Sequence, residues 1–206
     1  MRRRRIRPLL IAASALTLGL GGGAAAVQPA AVPGEFRVEP VAERIVARLP
    51  EGPLHWRIET FSSLAAAQGA AGPLALAAEH RGRAWLFTLG PPGGATRGGV
   101  RVAEIGPVPV VPASRYLLRA NRAGGPPGAM TPVHSHPGSE AFYVLAGQLS
   151  QRTPHGIVRL GAGQAMNGHG AGMAMQLTSS GPADLNQLVL FVVDADRPFS
   201  SPAAFE

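Results

Sequence analysis

The feature that most restricts the fold of this chain is a series of short apolar runs, set at regular intervals between glycine- and proline-rich breaks. Each run is too short for a helix, and turn sequences such as Pro137-Gly138 separate them. Many short strands at even spacing are typical of an all-β sandwich or a closed barrel. In the second half of the chain the runs are Ala141–Leu145, Gln148–Arg152, Ile157–Leu160, Met173–Leu177 and Leu188–Val193.

The amino-acid composition agrees with a compact β domain. The 206 residues are enough for one well-packed domain, and 46% of them are hydrophobic while only 15% are charged. A long helical bundle or coiled coil would need more charged residues, and 27 glycines and 20 prolines would interrupt it. The chain is also too apolar for a disordered polyelectrolyte.

Positive charge is concentrated at the amino terminus rather than spread over a binding face. The formal net charge is +7, but Arg2 to Arg5 and Arg7 supply five of the 19 basic residues, and the other 14 face 12 acidic residues. The rest of the sequence shows no basic patch interleaved with aromatic residues, as a nucleic-acid-binding protein would. We therefore expect no nucleic-acid partner.

Residues 1–26 have the layout of a secretory signal peptide. Arginines precede an apolar run from Leu9 to Leu20, and the small residues up to Ala26 supply a cleavage site. The apolar run is shorter than the span of about 20 residues that a membrane-crossing helix needs. We expect an exported protein, periplasmic or extracellular, with no membrane span after cleavage. Because the sequence has no cysteine, it has no disulfide bond.

Four segments are expected after the signal peptide. Residues 27–54 are rich in proline and form an extended arm, with a short helix over Val41–Leu49. Residues 55–113 form an N-terminal extension of extra strands and a short helix that packs on a barrel. Residues 114–194 form the barrel, and residues 195–206 form a C-terminal tail on its surface.

Two histidines and a glutamate stand close together in the sequence His134-Ser135-His136-Pro137-Gly138-Ser139-Glu140. On a strand, side chains two residues apart project from the same face, so His134 and His136 can converge on one point. A turn at Pro137-Gly138 lets the chain double back, and Glu140 then begins a further strand. Two imidazoles and a carboxylate inside an apolar barrel suit a divalent metal ion such as Fe, Mn, Zn, Ni or Cu.

The same segment resembles the first motif of the cupin superfamily, G-x5-H-x-H-x3-E-x6-G. Gly128, His134, His136, Glu140 and Gly147 keep every spacing of that motif. The resemblance implies an all-β double-stranded β-helix, a jelly-roll barrel, in which the two histidines and the glutamate hold a metal ion near the barrel centre. It also implies that two copies can pair through outer strands as a homodimer.

The second cupin motif, which normally adds a histidine ligand, is degenerate in this chain. Met175 stands at the position of that histidine, and His169 lies on the preceding turn. Three arrangements stay open, in order of preference: an open triad of two histidines and one carboxylate completed by water, a set in which His169 substitutes, and a set in which Met175 is a thioether ligand. Met175 also has a simpler interpretation as a core-filling side chain.

Two function classes follow for an exported cupin-domain protein. The first is a metal-dependent enzyme, oxygenase- or isomerase-like, that acts on a small molecule. The second is a non-catalytic module that binds a small molecule or a metal ion. The cupin fold hosts many chemistries, so the resemblance by itself does not choose between them.

Overall fold

The computed structural model describes residues 34–205. The predicted signal peptide, residues 1–26, lies outside the described residues, as do residues 27–33 of the predicted arm and Glu206. In the described part of the chain, no helix combines the length and apolar character that crossing a membrane requires.

Residues 34–205 form mainly strands, with one short helix, α1 (Leu64–Ala70). Ser63 caps this helix, because its Oγ accepts a hydrogen bond from the N–H of Ala66 at 3.1 Å. The strands are β1 (Arg37–Val46), β2 (His55–Phe61), β3 (Ala75–His80), β4 (Arg83–Gly90), β5 (Val100–Ile105), β6 (Tyr116–Gly125), β7 (His134–Ser135), β8 (Gly138–Ala146), β9 (Gln148–Thr153), β10 (Gly156–Gly161), β11 (Ala165–Asn167), β12 (Gln176–Ser179), β13 (Leu185–Asp194) and β14 (Ser201–Pro202).

The described strands form four antiparallel sheets. A five-stranded sheet has the order β1-β6-β13-β8-β11, and a three-stranded sheet has the order β10-β9-β12. The strands of the N-terminal extension form a separate four-stranded sheet of order β3-β4-β2-β5, and β14 pairs with β7. The two-residue strand β7 carries the first histidine of the predicted metal site.

The central strands of the five-stranded sheet are buried on both faces, which makes this sheet the middle layer of the fold. One face packs against β9, β10 and β12 around a core that includes Phe142, Val144, Leu149 and Leu177. The other face packs against the extension sheet, around a core that includes Trp56, Trp85 and Phe87. The extension therefore covers the outer face of the barrel with a second hydrophobic core.

β13 lies at the centre of this arrangement, paired with β6 on one side and β8 on the other. Successive side chains of a strand point to opposite faces, so β13 contributes to both cores. Its extension-facing residues are Leu188, Leu190 and Val192, and its barrel-facing residues are Val189, Phe191 and Val193. The predicted all-β jelly-roll barrel, with an extension of extra strands and a short helix, is confirmed.

The helix predicted over Val41–Leu49 is wrong. β1 continues through this stretch to Val46 and pairs with β6 along its length. Pro40 has no N–H to donate, and the register shifts between Pro40 and Ala42, as is usual where a strand accommodates a proline by a bulge. The local sequence pattern did not predict this strand, because the strand is stabilised by pairing with β6, which lies far along the chain.

Gly147, the last residue of the cupin-like motif, joins β8 to β9 in a backbone conformation that favours glycine. Its φ is +75°, and a Cβ built on it would lie 2.5 Å from the carbonyl oxygen of Asp184. Gly163 has a similar φ of +80°, but no atom lies within 4 Å of its Cβ position. An alanine at Gly163 would meet backbone strain alone, whereas an alanine at Gly147 would meet both backbone strain and a steric clash.

We expect Gly147→Ala to lower the free energy of unfolding by about 3 kcal/mol or more, because strain and collision add. Gly163→Ala, the matched control, should lose about 1 kcal/mol from strain alone. Urea denaturation of both variants measures the difference. Equal losses would show that the close approach to Asp184 does not restrict this turn.

Candidate functional site

The predicted metal ligands lie on β7, in the connection that follows it and on β8, and β7 and β8 do not pair with each other. The N–H of His134, on β7, donates to the carbonyl of Met175 at 2.9 Å, and β14 pairs with the other edge of β7. Glu140 lies on β8, whose partners are β13 and β11. The histidines and the glutamate therefore meet through the interior and not across a hairpin at Pro137-Gly138.

Backbone carbonyls hold both imidazoles in a defined state. Nδ1 of His134 lies 2.9 Å from the carbonyl oxygen of Pro132, and Nδ1 of His136 lies 2.6 Å from that of Phe199. A carbonyl oxygen only accepts hydrogen bonds, so each Nδ1 carries the proton and donates it. In the neutral rings the free lone pair is then on Nε2, which is the state that a metal ligand needs.

Glu140 is a buried carboxyl group with one satisfied oxygen and one free oxygen. Its Oε1 accepts a hydrogen bond from Nε2 of Gln151 at 2.9 Å. Its Oε2 has no hydrogen-bond partner among the described residues and lies 3.9 Å from Nε2 of His136. A buried oxygen without a hydrogen-bond partner lowers the stability of the folded protein. Oε2 of Glu140 is such an atom, and it faces the lone pair on Nε2 of His136.

Burial sets the charges of this pair. It raises the pKa of the Glu140 carboxyl to about 8, against which the hydrogen bond from Gln151 acts only partly. It also lowers the pKa of His136 to about 4, although the hydrogen bond to Phe199 opposes the shift. At neutral pH and without a bound cation, both groups are therefore neutral, and the 3.9 Å contact is not an ion pair.

A cavity of about 400 Å³ adjoins the three side chains. His134, His136 and Glu140 line one part of it, and Val189 and Phe191 of β13 are among its apolar walls. The predicted tail also belongs to the wall, because Phe199 to Pro202 line the cavity. Phe199 packs at 4.8 Å from the His136 ring and 4.9 Å from the Phe191 ring, measured between centroids.

Neither of the two other candidate ligands, His169 and Met175, is among the residues that line this cavity. The ring of His169 lies 6.2 Å from the ring of His155. Met175 is buried, and its Sδ lies 3.6 Å from Nε2 of Gln151. Burial, followed by the nearby His155, lowers the pKa of His169.

The three motif side chains are close together, but they do not form a finished ligand set. The rings of His134 and His136 lie 5.1 Å apart, edge to face, with an interplanar angle of 85°. Within residues 34–205, no group of three or more His, Asp or Glu side chains is already arranged to hold a metal ion. The pair formed by His136 and Glu140 is the best-aligned part of the site.

Two residues that shape the site were not found from the sequence. Gln151 lies on the buried face of β9 with Leu149, and a polar residue at such a position was a usable signal. Phe199 acts through its backbone carbonyl, which no sequence pattern reveals. Both are needed to describe how His136 and Glu140 are held.

Comparisons with known proteins find partial similarities to solved structures. No family model matches the sequence, and no curated protein matches it. Among solved structures, matches include the polyketide cyclase RemF from Streptomyces resistomycificus, with 20% identity over 43% of this chain and 62% of that chain. The DMSP lyase DddQ from Ruegeria pomeroyi DSS-3 matches with 26% identity over 42% of this chain and 43% of that chain. Both TM-scores are 0.37.

A cupin-like protein from Thermotoga maritima also matches, with 17% identity over 43% of this chain and 65% of that chain and a TM-score of 0.37. The match spans less than two thirds of each of these three proteins. The chain is similar to cupin-type proteins, and at TM-scores of this size the fold assignment rests on the strand order and the intact first motif.

The buried carboxyl group predicts a pH-dependent stability in the metal-free protein. An unfolded chain ionises Glu140 near pH 4.5, whereas the folded protein keeps it protonated up to about pH 8. The folded-state pKa is raised, so the contribution of Glu140 is complete below pH 4.5 and is lost as the pH rises to about 8. Glu140→Gln should therefore be more stable than the wild type by a few kcal/mol at pH 8.

Urea denaturation between pH 5 and pH 9, after treatment with a chelator, measures this difference. Glu79→Gln is the matched control, because Glu79 is an exposed carboxylate of β3. The control should follow the wild-type profile throughout. A Glu140→Gln profile parallel to the wild type would contradict the raised pKa.

Proposed function

We propose that this chain is a cupin module that holds one divalent metal ion through Nε2 of His134, Nε2 of His136 and the carboxylate of Glu140. The adjoining cavity admits a small, largely apolar molecule, and the module acts on it as a metal-dependent enzyme of the oxygenase or isomerase type. The observation that supports this most directly is the unpartnered, buried Oε2 of Glu140, which lies 3.9 Å from a free imidazole nitrogen.

The donor atoms fit a metal ion in chemistry and, for two of them, in distance. Ligand atoms bind Zn or a similar ion at about 2.0–2.2 Å, so two neighbouring ligands lie roughly 3–4 Å apart. The pair His136 Nε2 and Glu140 Oε2 falls in that range. A cation would also favour the ionised form of Glu140, which burial alone disfavours.

The metal identity and the fourth ligand are proposed from the same donors. Two imidazoles and one carboxylate suit Fe, Mn, Zn, Ni or Cu. We favour the open triad completed by water, because neither His169 nor Met175 is among the residues that line the cavity. When bound, the ion supplies Lewis acidity, or in the case of iron a site for dioxygen.

The side chains around the proposed ion would bind the ligand, exclude water and accept a proton. Phe191 and Phe199 offer aromatic surfaces to a ligand and keep water from one side of the cavity. Glu140 is the one carboxylate among the cavity-lining residues that the structure describes, so it is the residue that can accept a proton there. Gln151 fixes Oε1 and leaves Oε2 facing the cavity end.

Metal content is the direct test. After reconstitution with each candidate ion, the wild type should retain about one ion per chain, while His134→Ala and His136→Ala should retain almost none. His155→Ala is the control, because His155 lies with His169 and does not line the cavity. Elemental analysis measures all four proteins. If His134→Ala and His136→Ala both retain the metal ion, or if His155→Ala loses it equally, the proposed metal site is wrong.

A non-catalytic binding module is the second candidate. It is favoured by the chemistry of the cavity wall: among the described lining residues, the titratable groups are His134, His136 and Glu140 alone. There is then no separate acid–base group beside the proposed ligands. Stoichiometric iron or manganese with substrate-dependent dioxygen consumption favours the enzyme, and a chain that binds ligands without turnover favours the module.

Export is proposed from the sequence of residues 1–26. The full chain, produced in a bacterial host, should appear outside the cytoplasm with Val27 as its first residue. Mass spectrometry of the intact mature protein measures the cleavage point. Leu16→Arg, which breaks the apolar run, should leave an uncleaved cytoplasmic chain. A wild-type chain that stays uncleaved and cytoplasmic would contradict export.

A further inference from the structure

Two buried amide side chains on the interior face of the barrel carry polar atoms that have no hydrogen-bond partner among the described residues. Asn121 of β6 and Gln187 of β13 are each 0% exposed. Among the described residues, nothing pairs with Nδ2 of Asn121 or with either polar atom of the Gln187 amide. A buried polar group without a partner costs about 1–3 kcal/mol, so two of them on one face of a packed barrel need an explanation.

The orientation of the Asn121 amide is fixed by Arg119. Nε of Arg119 donates to Oδ1 of Asn121 at 2.9 Å, and a flipped amide would place two donors against each other. Arg119 is itself held, because its guanidinium lies 4.4 Å above the Phe199 ring and 3.7 Å from the Glu43 carboxylate. The NH2 group of Asn121 is therefore a held donor, and Asn121 lines the cavity.

The strand register places this donor at a distance from the proposed metal ligands. Across the sheet, Glu140 is opposite Phe191, and Asn121 is opposite Val189 on the next interior row. Glu140 and Asn121 are thus two strands apart, about 10 Å, and one row apart, about 7 Å. Phe191 and Val189 lie between them and form an apolar floor.

Gln187 is a second buried amide, one interior row beyond Asn121 in the sheet. It lies two residues before Val189, so its side chain points to the same face of β13. Its partner across the strands is Ala123, the interior neighbour of Asn121 on β6. The cavity is therefore bounded by imidazoles and a carboxyl group at one end, by apolar residues in the middle and by the unpaired NH2 group of Asn121 towards the other end. Gln187 is not among the residues that line the cavity.

We propose that Asn121 is a ligand-binding residue whose NH2 group donates to an oxygen acceptor, such as a ketone carbonyl, on the molecule that occupies the cavity. The ligand class is a small molecule with an apolar, ring-sized body and a carbonyl-type oxygen remote from the metal-facing end. The inference rests on the proposed function for that metal-facing end only. The hydrogen bond from Asn121 is independent of the metal ion.

Matched pairs of phenols test the donor. 4-Hydroxyacetophenone is compared with 4-isopropylphenol, and 4-(4-hydroxyphenyl)butan-2-one with 4-(3-methylbutyl)phenol, so that each pair differs in the carbonyl oxygen. Dissociation constants are measured by calorimetry for metal-free and cobalt-loaded protein. In Asn121→Leu, the ketone of at least one pair should bind about threefold to tenfold more weakly, whereas the affinity of its alkylphenol partner should not change.

Two variants control for folding and for general effects of substitution. Asn121→Asp keeps the size of the side chain and its acceptor for Arg119 but removes the donor, so it should lose affinity for the same ketone. Asn186→Leu makes the same change at a buried amide on the opposite face of β13, and it should leave the affinity for both members of each pair unchanged. Thermal unfolding verifies that each variant folds.

The outcomes separate this inference from the proposed function. A ketone-specific loss in Asn121→Leu supports the inference, whether or not the chain retains cobalt. Equal changes in affinity for the ketone and its alkylphenol partner, or no change in either, overturn it even if cobalt binds with full stoichiometry. Failure of all four phenols to bind at millimolar concentration also overturns it, because the stated ligand class would then not enter the cavity.

Discussion

The central strand β13 is the constraint on which the rest of the molecule depends. Because it is buried on both faces, its alternate residues are committed to two different cores, one shared with the extension and one inside the barrel. A register slip of one residue would exchange the two sets and place Asn186 and Leu188 inside the barrel. The positions of Phe191 beside the histidines and of Val189 beside Asn121 follow from the same register.

In the site at the end of the barrel, hydrogen bonds hold the two imidazoles and the Glu140 carboxyl group in place, but no positive charge balances an ionised Glu140. Two carbonyl groups select the protonated nitrogen of each imidazole, and Gln151 selects which oxygen of Glu140 is free. Burial then keeps His136 and Glu140 neutral, so their free atoms face each other without an ion pair. A divalent cation would supply the missing charge, and for this reason we favour a metal centre over a purely structural contact.

The sequence predicted the fold class and the neighbourhood of His134, His136 and Glu140 because these depend on local spacing. Strand alternation and turn residues identify a barrel, and a motif of fixed spacing puts three side chains near one point. The predictions that failed or were missing depend on distant partners. β1 becomes a strand because β6 pairs with it, and the carbonyl of Phe199 holds His136 although 63 positions separate them. Asn121 becomes a candidate binding residue only because its NH2 group has no partner inside the barrel, which the sequence does not show.

The segment from Phe199 to Pro202 holds the His136 ring through the carbonyl of Phe199, and the segment is itself attached to β7 through the short strand β14. β14 joins β7 through two residue pairs, whereas the sheets that form the cores pair over long strands. Short pairings fray far more often than the core of a protein unfolds. Each fraying event would release Nδ1 of His136 and remove one wall of the cavity while both cores stay intact. Exchange of the contents of the cavity and global denaturation would then be separate kinetic events, with the former controlled by the tail.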